Sequence, residues 1–195
     1  MIENFSKYNK HGMEIPLSIG FDKEEYENVS KEYANDYVNA YSLEGVYWFH
    51  NKKKIKIENK DSSVYAYPSV NQKYVIAVYQ DQNTEFPMPN NAVIYNLDGS
   101  IHKVLEIPEL LSEKSKENIA KEKHSNPPIE DNRYGYWGLG LCFKGFGWEK
   151  NDKGELFDSI SIQYAAEYGE WRVLNPETGE ISDLVSDWYQ SRAWR

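Results

Sequence analysis

Between Gly45 and Tyr79 the chain alternates short runs of β-branched and aromatic residues with stretches of Asn, Lys, Asp, Ser and Gln. The runs are Val46–Phe49, Lys54–Ile57, Val64–Tyr67 and Tyr74–Tyr79. Runs of this length bounded by turn residues form strands, and their close spacing predicts an antiparallel meander. Phe86–Asn91, FPMPNN, carries two prolines and paired asparagines and predicts a loop. A strand over Ala92–Asn96 follows, and Asp98-Gly99 turns it into a partner strand over His102–Ile107. Strands resume over Tyr134–Phe146 and Leu156–Tyr164, joined around Asn151-Asp152-Lys153-Gly154, the strongest hairpin signal in the chain. A last hairpin pairs Trp171–Leu174 with Glu180–Val185 across Asn175–Gly179.

Two segments depart from this pattern. From Asp22 onward, Tyr26, Val29, Tyr33, Tyr37 and Ala40 or Tyr41 recur three or four residues apart, which predicts a helix over Asp22–Ala40 with its tyrosine stripe on the core. Asp22 and Glu25 resemble a capping box at its start, and this helix is expected to be the longest in the chain. Pro108–Lys123 is rich in helix formers but offers only Leu110, Leu111, Ile119 and Ala120 for burial, so a peripheral charged helix is expected over Leu110–Lys123. Asn126-Pro127-Pro128 should end it. The fold class that follows is α+β, a mainly antiparallel sheet of meander and hairpins carrying one packed N-terminal helix and one peripheral helix. VIYNLDGSI from Val93 and RVLNPETGEI from Arg172 share a strand, turn and returning strand, but two copies do not make a repeat array, and convergent hairpin chemistry accounts for them.

Length and composition then bound the rest. A chain of 195 residues is expected to form a single globular domain over 1–195, with aromatics, at 15%, supplying much of the core despite a mean hydropathy of -0.77. The N-terminal decapeptide lacks the apolar stretch of a secretory signal, Tyr74–Tyr79 is too short to cross a bilayer, and Cys142 is the sole cysteine. A cytoplasmic protein is expected, in which the sequons at Asn4 and Asn28 are chance matches. A net charge of -9 repels phosphate backbones and anionic lipid, so no nucleic-acid or membrane partner is expected. The basic stretch His50–Lys60 reads as a solvated hairpin tip.

Catalytic signatures are scarce. Gly135, Gly138 and Gly140 stand in the reverse order of a dinucleotide fingerprint and suit a bulged strand. Cys142, in GLCFKG, does not fit a nucleophile elbow and is expected to be buried and inert. His11, His50, His102 and His124 lack metal spacing, and neither a metal nor a cofactor is expected. The carboxylate pair best placed for sugar cleavage is Asp158 with Glu167 or Glu170. More distinctive is the last third of the chain, which holds Trp137, Trp148, Trp171, Trp188 and Trp194 among many carboxylates. Aromatic anchors ringed by acids suit a protein interface with a basic partner, because aromatics dominate hot spots and charge steers encounter. The binding residues expected are Glu177, Glu180, Asp183, Asp187, Trp188 and Trp194. The chain then reads as a non-catalytic binder of a basic protein, most concretely an immunity-type protein masking a toxin domain. The alternatives are a carbohydrate-binding or hydrolytic domain with tryptophan platforms, or a structural accessory protein.

Overall fold

The computed structural model describes residues 2–21, 26–40, 44–80, 84–125, 141–165 and 168–189. Along them run β1 (Glu3–Asn9), β2 (Glu14–Pro16), α1 (Lys31–Asn39), β3 (Glu44–His50), β4 (Lys53–Ile57), β5 (Val64–Pro68), β6 (Tyr74–Tyr79), β7 (Ala92–Asn96), β8 (Ile101–Val104), α2 (Glu113–Ser125), β9 (Cys142–Lys150), β10 (Leu156–Ala165), β11 (Tyr168–Asn175) and β12 (Glu180–Tyr189). Every strand pair is antiparallel. The fold is β-rich α+β, as the sequence predicts.

The strands form three four-stranded sheets, in the orders β2-β1-β3-β4, β5-β6-β7-β8 and β12-β11-β10-β9. These are called the N-terminal, middle and C-terminal sheets below. The expected continuous meander is therefore corrected: β4 and β5 belong to different sheets, because the chain crosses over after Ile57. Asn59 Nδ2 donates to Ser62 Oγ at 2.6 Å, and Glu44 N–H donates to Ser63 Oγ at 3.1 Å, so the crossover is satisfied by its own polar side chains. β1 and β2, which no sequence pattern had marked as strands, complete the N-terminal sheet.

The middle sheet is buried on both faces, and its sequence shows why. Successive side chains of a strand point to opposite sides. Val75, Ala77 and Tyr79 of β6, with Val93 and Tyr95 of β7, join a cluster that includes Phe5, Val46, Trp48, Ile55 and Ile57 of the N-terminal sheet. Ile76, Val78, Ala92 and Ile94 point the other way, onto Phe143, Ile160, Ile162 and Leu174 of the C-terminal sheet. A strand with a continuous apolar run can serve both layers, and YVIAVY of β6 and the AVIY of Ala92–Tyr95 are such runs. Trp48 is fully buried with its indole N–H bonded to Leu97 O at 2.9 Å. Removing such a ring costs about 3–5 kcal/mol.

The first helix is shorter than expected. It runs over Lys31–Asn39 with Ser30 as its cap, the Ser30 hydroxyl accepting from Tyr33 N–H at 3.2 Å. Asp22–Glu25 lie outside the described residues. The difference has a local cause: Asn28 donates to Pro16 O at 3.0 Å and to Ser18 Oγ at 2.8 Å, tying the preceding turn to the chain after β2. A serine hydroxyl then offers the first free helix N–H its partner. Of the tyrosine stripe only Tyr37 is buried. With 9 residues against 13, α1 is shorter than α2, which corrects the expectation that it would be the longest helix.

The turns follow the sequence closely. Asn51 and Lys52 both adopt positive φ, 50° and 63°, giving the two-residue hairpin between β3 and β4; of the lysine-rich stretch expected as a hairpin tip, Lys52 is in the turn, whereas Lys53, Lys54 and Lys56 stand on β4. The Asn151–Gly154 turn closes with Asn151 N–H to Glu155 O at 3.0 Å. β8 stops at Val104 instead of Ile107, and Leu105 turns inward to full burial. β9 is described from Cys142, and the expected strand before it, with the glycines Gly135, Gly138 and Gly140 and the Asn126–Pro128 stop, lies outside the described residues.

Candidate protein-binding surface

The inner face of the C-terminal sheet carries polar groups that hold the layers together. Asn91 is buried; its Nδ2 donates to Tyr79 O at 2.7 Å and Phe143 O at 3.0 Å, and its Oδ1 accepts from Phe143 N–H at 2.9 Å. Asp158, 5% exposed, accepts Val70 N–H at 3.0 and 3.2 Å from the turn between β5 and β6. Burial pushes its carboxyl up to about 6, with the Val70 N–H pulling the other way. Trp148 donates to Pro68 O at 2.9 Å and meets Tyr67 edge-on, so this ring also braces the two sheets.

Beside them Glu170, fully buried, and Arg172 form an ion pair at 3.1 Å. Glu170 Oε1 also accepts Leu111 N–H at 2.9 Å and Ser112 N–H at 2.5 Å, at the mouth of α2. Arg172 donates to Glu109 O at 3.2 Å and Ser182 O at 2.5 Å. Ser112 Oγ accepts Ser115 N–H at 3.1 Å and donates to Asp187 Oδ2 at 2.7 Å. A carboxylate at a helix start and a guanidinium paired with it and bonded through Nε and Nη1 are conditions under which buried charge is tolerated. This cluster fastens residues 109–112 and α2 onto β11 and β12.

The geometry does not bring the sugar-cleaving carboxylates together. Asp158 is the cross-strand partner of Leu174, and Glu170 that of Ile162, four positions further along β10. That separation is about 13 Å at 3.3 Å per residue, beyond the roughly 5–9.5 Å that glycosidases use. Each is already bonded within the fold, and Glu167 lies outside the described residues. Cys142 is fully buried, and burial raises its thiol above the usual value. Among the described residues no three His, Cys, Asp or Glu side chains gather as metal ligands. A cleft of 270 Å³ is lined by Tyr8, Lys10, Glu44, Gly45, Glu58, Asn59 and Lys60. It falls below the usual 300–1,000 Å³ of a ligand site, and Tyr8 and Lys10 already bond to Glu58 and the Lys60 carbonyl across it.

Of the expected binding residues, Glu177, Glu180, Asp183, Asp187 and Trp188 lie on or beside β12, an edge strand of its sheet. Glu177 sits in the preceding turn, exposed, its carbonyl accepting from His102 Nε2 at 2.7 Å. Glu180 and Asp183 are exposed, and among the described residues the side chains of Glu177, Glu180 and Asp183 make no hydrogen bond or ion pair. Asp187 is exposed and also receives the Ser112 hydroxyl. Trp188 is half-buried against Gly169, where a Cβ would collide with the Trp188 ring and the Ile162 carbonyl; its Nε1 has no partner among the described residues. Trp194 and Trp137 lie outside the described residues.

Sequence reasoning missed the apolar part of this edge. Leu184 and Val185 are 40% and 38% exposed, in a strand whose register slips twice, between Trp171 and Arg172 and between Arg172 and Leu174. The signal was present in ISDLVSDW, where adjacent apolar residues break the alternation of a half-buried strand.

No protein-family model matches the chain, and no curated protein does. Among solved structures, a chain of the "Structure of Tne2 in complex with Tni2" is similar to it, with a TM-score of 0.52 at 12% identity, over 98% of this chain and 100% of that one. The likeness is one of fold along the whole chain, and the fold was found there in a complex of two proteins. No helix among the described residues is long and apolar enough to cross a membrane.

Proposed function

We propose that this protein is a non-catalytic protein-binding domain of the immunity type, acting in the cytoplasm, which masks a basic toxin domain with the acidic surface along β12. The observation that carries the reading is the row of exposed carboxylates, Glu180, Asp183 and Asp187 on an edge strand and Glu177 in the turn before it. The likeness to a chain from a two-protein complex supports it, as does a net charge of -9. A surface of one sign accelerates encounter with the opposite sign and leaves the fold indifferent to the change.

The test begins with affinity capture from the native host and identification of the stoichiometric partner. That partner, expressed alone in a bacterium, should arrest growth, and co-expression of this protein should restore it. Reversing Glu177, Glu180 and Asp183 to lysine should lower the association rate, and rising salt should do the same to the wild type, since charges are screened over about 8 Å at physiological ionic strength. A harmless partner, or tryptophan fluorescence that responds to an oligosaccharide and to no protein, would refute the reading.

A further inference from the structure

An exposed apolar pair in an edge strand is a hazard, because an edge offers unpaired backbone groups to any passing strand. Here β12 shifts register twice against β11, where Arg172 Nε donates to the Ser182 carbonyl at 2.5 Å, and Leu184 and Val185 stay exposed. Bulges of this kind twist an edge strand away from flat pairing, while its exposed side chains stay open to contact. A third exposed apolar residue, Leu111 at 44%, belongs to the segment that the buried ion pair holds against this strand. Leu184 is the cross-strand partner of Arg172, and Asp187 that of Glu170. The same two inner residues grip Glu109 O, Leu111 N–H and Ser112 N–H. Leu184 and Leu111 therefore flank one rigid cluster, with Glu109, Asp183 and Asp187 exposed around it.

From this the geometry points to a two-part docking surface, with Leu111, Leu184 and Val185 as its apolar centre and Glu109, Asp183 and Asp187 as its acidic rim. It fits a partner protein that presents Lys or Arg around apolar side chains. A second copy of this chain is selected against, because the same rim would face itself with like charges. The inference rests on the binding reading above and deepens it: aliphatic anchors from two segments join the aromatic one, and the Glu170–Arg172 pair keeps those segments in register. An apolar centre within a charged rim is the usual anatomy of a protein interface.

The experiment places a photo-reactive residue singly in the full-length protein, as Leu111→benzoylphenylalanine, Leu184→benzoylphenylalanine and, for contrast, Val38→benzoylphenylalanine on α1, where Val38 is 56% exposed. Irradiation is carried out in the native host. One and the same protein of net positive charge should cross-link at Leu111 and Leu184 and not at Val38. With that protein purified, Asp183→Lys should slow association several-fold, and Leu184→Ala or Val185→Ala should speed dissociation about tenfold. Cross-linking at Val38 alone, different proteins at Leu111 and Leu184, or wild-type kinetics in these variants would overturn the surface. Growth rescue separates the two levels: rescue with cross-links elsewhere removes only this surface, and absence of rescue removes the binding reading itself.

Discussion

On the outer face of the N-terminal sheet, Lys54 Nζ lies 3.5 Å from the Tyr47 ring centroid and 3.5 Å from Glu14, and Lys56 lies 4.7 Å from the Tyr8 centroid. Tyr47 donates to Glu14 at 2.7 Å, and Tyr8 donates to Glu58. Along β12, at the edge of the C-terminal sheet, Glu180 and Asp183 make no such contacts among the described residues. The inner faces reverse this contrast. The N-terminal sheet meets the middle sheet through Phe5, Val46, Trp48, Ile55 and Ile57, whereas the C-terminal sheet adds Asp158, Glu170 and Arg172 to its apolar contacts. One layer spends its charges on itself outside and packs dry inside. The other buries charged fasteners and leaves Glu180 and Asp183 exposed along its edge strand, the arrangement on which the proposed binding surface rests.

The largest expected break in this comparison is Glu170→Ala. It would strand Arg172 as a buried, unpaired cation and free two N–H groups at the start of α2, and removing one partner of such a pair costs about 3–5 kcal/mol. Urea unfolding should register that loss, together with faster amide exchange at Leu111 and Ser112. A loss under 1 kcal/mol would mean that the pair is not what fastens the layer.

Asp158→Asn should act in the opposite direction. The carboxyl is pushed up to about 6, above its unfolded value, so its contribution to stability is full below about pH 4 and is lost as pH rises through about 6. Asparagine keeps an acceptor for the Val70 amide and has no proton to lose. The variant should be more stable than wild type at pH 7 by up to about 3 kcal/mol, and the decline in stability between pH 4 and 7 should flatten. An unchanged slope would place the titrating group elsewhere.

Smaller effects should distinguish the two outer surfaces. Trp188→Ala should weaken partner binding by about 2 kcal/mol, chiefly through faster dissociation, if its half-buried ring reaches the interface. Lys54→Ala, which removes an exposed cation–π contact and an exposed ion pair, should cost stability about 1 kcal/mol or less and leave partner binding unchanged. A binding loss at Lys54 that matched the one at Trp188 would erase the contrast between the layers.

Much of the secondary structure was legible in the sequence, because strands, two-residue turns and glycine turns are decided by neighbours a few positions away. The hairpins β3–β4, β7–β8, β9–β10 and β11–β12 all stand where alternation and turn residues predict them. The acidity of the last third and the exposure of Glu177, Glu180 and Asp183 were legible for the same reason, since carboxylates around a turn remain in water. Only the tertiary structure decided how the strands divide into three sheets, why α1 begins at Ser30, and which acids are fasteners and which are surface. Those outcomes rest on bonds between residues far apart in sequence: Val70 with Asp158 across 88 positions, Leu111 with Glu170 across 59, and Ser112 with Asp187 across 75. Composition is blind to such partners. Asp158 and Asp183 are the same residue in strands of the same sheet, and one is buried against an amide while the other faces solvent because only the first has a neighbouring layer above it.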